Sequence, residues 1–402
     1  MTPALVSPTR FAGFTEGLPR TYWFLWAGML VNRLGGFVVP MLMVFLTTQK
    51  GLSLVEAGLV VSMYGFGALG GNTLGGVLSD RIGRRTTLLI SLVSSAALML
   101  LVSVASTSAA LTVSVALLGL AAAMYQPSTS AMIVDLVEPR YRIKAFSYQY
   151  WAVNLGFSLA ALVGGFMAAS NFALLFVLDA TTTLIFAAIV WRAVPETRPQ
   201  TSERAVGSLL TPYLDRKFAP FMALSYVGAF IFMQHLTMLP VDMTSKHLAT
   251  SDFGIAIAVN GLFIVILQTT ATRWVMRGAR PTWLAAASVI MGIGFGLTAF
   301  ANTLPFYAFT VAVWTVAEVI FAPLNSTMVS DFAPAHLRGR YQGAFSLTWS
   351  LAMMTAPVIS PMVVEATSLR TFWFICLLLG VATGLGHFVF VGRAERLLKA
   401  GQ

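Results

Sequence analysis

Three ionisable residues stand deep inside runs of apolar sequence: Arg33 in GMLVNRLGGF, Asp179 in FVLDATTT and Glu318 in WTVAEVIFAP. A guanidinium is cationic at every relevant pH, so Arg33 needs an anion or water beside it. A carboxyl group away from any cation can take up and release a proton. Each residue lies thirteen positions from a polar landmark at one end of its run: Arg20, Arg192 and Asp331. At 1.5 Å per residue that is roughly 20 Å of helix, so the three share a depth. Two arrangements are open for Arg33. It forms a buried ion pair with Asp179, or it faces an aqueous cavity and holds an anionic or polar ligand. Glu318 shares a helical face with Trp314, Phe321 and Asn325, an aromatic and amide lining suited to a mostly apolar ligand.

The elements that carry these residues follow from composition. Of 402 residues, 57% are hydrophobic and only 10% charged, whereas soluble domains carry roughly 25% charge. Twelve apolar runs are long enough to span a bilayer: roughly 21–47, 53–79, 86–106, 109–134, 143–169, 172–193, 218–243, 252–275, 281–301, 304–330, 341–365 and 369–392. They must be helical, because a backbone exposed to lipid has to satisfy its own hydrogen bonds. The first run is too long for a cleaved signal peptide and lacks its flanks. A single cysteine, Cys376, excludes an internal disulfide framework and a thiolate metal cluster.

The net charge of +10 does not imply a nucleic-acid partner, because the cations are sorted by side. All but four of the 25 Lys and Arg residues fall in segments on one side of the spans. Lys50, Lys246 and Arg370 lie on the other, and Arg33 lies within a span. Cations concentrate on the cytoplasmic side, so both termini are expected there. The domain reading is then a cytoplasmic N-terminal segment 1–20, a six-helix bundle 21–193, a cytoplasmic linker 194–217, a second six-helix bundle 218–392 and a tail 393–402. Pro195, Pro199 and Pro212 mark the linker.

The two bundles are copies. At an offset of 196 residues Gly58 matches Gly254, Gly65 matches Gly261 and acidic Glu56 matches Asp252. Pro127 matches Pro323, Ser130 matches Ser326, Met132 matches Met328, Asp135 matches Asp331 and Arg142 matches Arg338. Parallel repeats of six spans are a transporter architecture, with a ligand site between the halves near the midplane.

Between spans 2 and 3 the chain reads GGVLSDRIGRR. Gly76, Leu78, Asp80, Arg81, Gly83, Arg84 and Arg85 match, without exception, the G-x-L-x-D-R-x-G-R-R signature of the major facilitator superfamily. With the span count, linker and half-repeat, the resemblance covers essentially the whole chain and implies the all-α major facilitator fold. It also implies a cytoplasmic gate in which Asp80 faces the start of span 11. The second-half copy, RWVMRGARP from Arg273, keeps its basic residues but lacks the aspartate. In span 5, GFSLAALVGG resembles the antiporter signature G-x-x-x-G-P-x-x-G-G, with Ala160-Ala161 in place of Gly-Pro. Span 11 has Ala356-Pro357 at the equivalent place.

In this fold spans 1, 4, 7 and 10 line the central cavity, which brings Asn32, Tyr125, Gln126, Gln234 and His235 to it, with Tyr150 and Asn154 from span 5. Imidazole is the side chain whose unperturbed titration lies near neutral pH, which singles out His235. Pro40, Pro127, Pro240, Pro323 and Pro357 are expected to kink their spans. No metalloprotease, nucleophile or phosphate-loop motif lies in any span, so neither an enzyme nor ATP-driven transport is expected. The resemblance implies a secondary transporter with no cofactor, working as a monomer in the bilayer on the proton gradient. The reading is a proton-coupled exporter of amphipathic drugs or related small metabolites. The alternative is a symporter or facilitator for a defined nutrient or organic anion.

Overall fold

The computed structural model describes residues 16–168, 171–197, 211–275, 279–334 and 337–392. The N-terminal segment to residue 15, most of the linker and the tail from 393 lie outside the described residues, as do some side chains, including that of Arg338. The described residues are built of helices, twelve of them long and apolar enough to cross a membrane. Spans 1 to 6 are Arg20–Gln49, Leu54–Arg81, Arg84–Val104, Ser108–Leu136, Pro139–Met167 and Phe172–Ala193. Spans 7 to 12 are Phe218–Ser245, Thr250–Leu267, Arg280–Phe300, Leu304–Phe321, Tyr341–Ala366 and Leu369–Val391.

Short polar signals set the ends of these helices. Ser53 and Glu56 form a reciprocal capping box that starts span 2. Asn171 accepts from the Ala173 amide at 2.9 Å to start span 6. Between spans 2 and 3 the backbone turns at Gly83, φ +107°, a conformation disfavoured for any other residue. The Glu196 carboxylate then accepts the Arg84 amide at 2.7 Å and the Arg85 amide at 3.1 Å. A linker anion thus occupies a helix N-terminus, where the dipole favours it.

The repeat seen in the sequence recurs in the contacts. Gly58 of span 2 lies against the Pro357 carbonyl of span 11, and Gly254 of span 8 against the Ala161 carbonyl of span 5. Gly65 meets the Met354 backbone, and Gly261 meets Ser158. In both pairs the partners differ by the same 196 residues. Small residues let helix backbones approach closely, which in lipid replaces the hydrophobic drive for packing. Spans 2 and 11, and spans 5 and 8, are therefore the seams between the halves. The Thr250 hydroxyl donates to the Gly165 carbonyl across one of them at 3.0 Å.

These seams are tight at the end away from the linker, where spans 1 and 7 also touch. At the linker end, a side chain built at Gly76 of span 2 or at Gly343 of span 11 would meet nothing within 4 Å. Among the described residues Asp80 pairs with Arg84 of its own half at 3.1 Å, and its side chain is 67% exposed; the side chains that open span 11, where the expected gate partner would lie, are outside the described residues. Arg84 also pairs with Asp135, the end of span 4. In the second half Arg280 pairs with Asp331, again displaced by 196 residues. What the repeat retains is thus the arginine–aspartate clasp between spans 3 and 4 and between spans 9 and 10, not the span 2 aspartate.

The Arg84 and Asp135 side chains are only 11% and 17% exposed, against 40% and 41% for Arg280 and Asp331. A charge-assisted bond shielded from water contributes more than an exposed pair. A double-mutant cycle with Arg84→Ala and Asp135→Asn, read by thermal unfolding in detergent, should give a coupling of about 1–2 kcal/mol. The Arg280–Asp331 cycle should give a smaller one.

Prolines do not all break their spans. Span 1 breaks at Gly35–Phe37, ahead of Pro40, and span 4 at Met124, ahead of Pro127. Span 7 breaks at Met233, the repeat equivalent of Phe37. There the Gln234 amide donates to the Phe230 carbonyl at 2.8 Å and Thr237 to the Met233 carbonyl at 3.2 Å. Side chains that take over backbone carbonyls in this way interrupt the helical ladder. The helices that carry spans 10 and 11, Leu304–Phe332 and Arg338–Ala366, run on through Pro323 and Pro357 without a break, and Pro240 lies within the second helix of span 7.

Candidate functional site

The break in span 1 decides what Asp179 does. Restarting a helix at Val38 leaves backbone amides without partners, and Asp179 of span 6 supplies one. Its Oδ2 accepts the Val38 N–H at 3.0 Å, and the side chain is buried. Arg33 and Asp179 make no ion pair. The sequence allowed such a pair at their common depth, but the carboxylate is committed to the helix start five residues beyond Arg33. The guanidinium instead lies 5.5 Å over the ring of Tyr125 in span 4. Its Nε is buried without a hydrogen-bond partner, and so is the Tyr125 hydroxyl. Gly156 of span 5 backs the arginine: a Cβ there would sit 2.5 Å from that of Arg33. Asn32 next to it donates to Thr183 Oγ1 at 2.8 Å, tying span 1 to span 6.

In the second half the ionisable residue deep in a span is Glu318 of span 10. Its Oε2 accepts from Asn260 Nδ2 of span 8 at 2.6 Å. The same amide donates to Thr315 Oγ1 at 3.0 Å. No cation lies within ion-pair distance of Glu318 among the described residues, so its partner is a neutral amide. Tyr150 of span 5 is exposed. Asn154 gives its amide to the Tyr150 carbonyl at 2.8 Å, within its own helix.

His235 is buried at the junction of the halves. Its Nδ1 lies 2.6 Å from the Phe232 carbonyl. Its ring meets Phe157 of span 5 edge-on at 6.1 Å and Trp314 at 5.8 Å. Gln126 is exposed. Asn325 is buried, with its Oδ1 unpartnered.

Two expected cavity residues are corrected. Gln234 is 0% exposed, and its amide is used inside span 7, donating to Phe230 and accepting from Thr237 at 2.8 Å. Trp314 is 1% exposed, stacked on Phe295 of span 9 at 5.5 Å and 8°. Gly294 of span 9 makes room for it. Both are packing groups inside the second half. The gate residues divide likewise. Arg84, Asp135 and Asp331 make the clasps described above, Arg85 donates to the Trp191 carbonyl, and Arg142 donates to the Val134 carbonyl at 2.8 Å at the end of span 4.

Asn260 was missed from the sequence. Nothing in AVNGLF marks it, although Asn260 replaces Tyr64 of the first half at the repeat offset. A polar residue deep in a span is itself a signal.

The fold and the sequence agree with known proteins over nearly the full chain. Residues 25–249 and 242–401 match the Major Facilitator Superfamily. A Na(+), Li(+), K(+)/H(+) antiporter of Planococcus maritimus is 27% identical, covering 88% of this chain and 91% of the relative. The multidrug resistance protein MdtH of Aeromonas hydrophila is 25% identical, covering 84% and 85%. Among solved structures, the peptide transporter POT in complex with sulfate superposes with a TM-score of 0.78 at 18% identity, covering 97% and 99%. The human organic anion transporter MFSD10 superposes with a TM-score of 0.69 at 16% identity, covering 92% and 100%. At those identities the superpositions speak for the fold alone. Twelve spans, a half-repeat visible in sequence and contacts, and a match along both halves lead to one conclusion: the chain is a multi-pass membrane transporter and belongs to the Major Facilitator Superfamily.

Proposed function

We propose that this protein is a proton-coupled antiporter that exports amphipathic organic molecules by alternating access, with its termini and linker in the cytoplasm. The observation that carries the reading is Glu318, a mid-depth carboxyl group whose partner is a neutral amide. Such a group can exist with or without its proton, whereas one fixed in an ion pair would be held in the charged form. The close seams between the halves at the end away from the linker give them an interface about which to swing, as alternating access requires. Phe157 and Phe232 beside His235, with Trp349 against Phe232, offer adaptable apolar contact. The cation/proton antiporter and multidrug resistance relatives support the same reading.

The test is a substrate panel in proteoliposomes with an imposed pH gradient. Uphill movement of an amphipathic compound, coupled to proton flux in the opposite direction, is the expected result. Downhill movement alone, unaffected by the pH gradient, would leave a facilitator in its place.

A further inference from the structure

Arg33 of the first half makes no ion pair among the described residues. Arg33 stands at mid-depth, where an uncompensated charge is costly. The buried carboxylate of the same half, Asp179, is bonded to the Val38 amide. Two donors remain idle side by side: Nε of Arg33, and the hydroxyl of Tyr125, whose ring lies under the guanidinium. They come from different helices, spans 1 and 4, and Tyr125 is only 8% exposed. Buried donors without acceptors are rare in proteins and mark a missing partner. The partner that suits both is an oxyanion, which takes charge-assisted bonds from a guanidinium and a further bond from a phenol.

The walls say what the anion is attached to. Gly156, behind Arg33, is followed in span 5 by Phe157, which meets His235 of span 7. Span 5 thus reaches from the arginine to an aromatic contact with the other half.

We propose that Arg33 and Tyr125 form an anion subsite of the transport path, so that the transported molecule carries a carboxylate on an apolar body. This rests on the reading of the chain as an exporter of amphipathic molecules and narrows it to organic anions, including zwitterions. Arg33 and Tyr125 are the binding donors. Gly156 is a positioning residue, keeping the arginine side chain in its place.

The experiment compares naphthalene-2-carboxylate with naphthalene-2-carboxamide, equal in shape and unequal in charge. Equilibrium binding to the purified full-length protein in detergent is followed by calorimetry, without any pH gradient. The protein should bind the carboxylate at least about ten-fold more tightly than the amide, the scale of one desolvated charged contact. Arg33→Gln should bring that ratio to about one while amide binding persists. Arg33→Lys should keep part of the preference, since it retains the charge and loses the fork. Tyr125→Phe should weaken the carboxylate alone.

Equal affinity for the two compounds in the unaltered protein, or a preference that survives Arg33→Gln, overturns the proposal. Should Arg33→Gln fail to fold, judged by size-exclusion chromatography, the unaltered ratio and Tyr125→Phe decide. Because binding is read without a gradient, failure of proton coupling and failure of the anion subsite give different results.

Discussion

Glu318→Gln is expected to abolish uphill accumulation in proteoliposomes while leaving downhill exchange of the same compound nearly intact. The substitution removes a proton site and keeps the shape. A glutamine carbonyl can still accept from Asn260 Nδ2, which now bonds Glu318 at 2.6 Å, and Asn260 keeps Thr315. Packing of span 10 on span 8 should therefore survive. What disappears is the alternation between a charged and a neutral side chain, and with it the link between proton movement and the swing of the halves. The accumulation ratio driven by a pH gradient should fall by at least about ten-fold, toward equilibrium, and counterflow should change by no more than about two-fold. Accumulation at the unaltered level would remove Glu318 from the coupling step, and loss of both activities would point to a structural part for it.

The second large effect is mechanical. A side chain at Gly65 would put its Cβ 2.5 Å from the Met354 amide nitrogen, a backbone atom that cannot swing away. Gly65→Leu should therefore wedge spans 2 and 11 apart at the end where they are joined. Interfaces of this kind are bistable rather than continuously deformable, so the halves should rock closed at the linker end. Spin labels on Gly76→Cys and Gly343→Cys, two positions with open space around them, would read this as a shorter label-to-label distance. Buried Cys376 leaves the background quiet. Transport should drop by at least about ten-fold, because one of the two states is lost. Gly70→Leu is the control: a Cβ there first meets a flexible Leu120 methyl at 3.8 Å. If Gly65→Leu transports at the unaltered rate with an unchanged label distance, the seam is not part of the moving interface.

Sequence alone determined how many times the chain crosses the bilayer, because a span must be long, apolar and helical whatever surrounds it. It determined the repeat, since glycines recur at one offset in both halves, whereas the structure showed that those glycines lie at the seams. It also placed Arg33, Asp179 and Glu318 at one depth by counting along straight helices. Tertiary structure decided the partners. Asp179 serves the helix start at Val38 and not Arg33, because span 1 breaks and a broken helix needs an acceptor. Gln234 and Trp314 turn into the second half, and Asn260 emerges as the partner of Glu318. The reason is the solvent. In water, one face of a helix is polar and declares its direction, but in lipid both the buried and the exposed faces are apolar. Which face of a span looks into a cavity is therefore written in the contacts between helices and not in the hydropathy of any one of them.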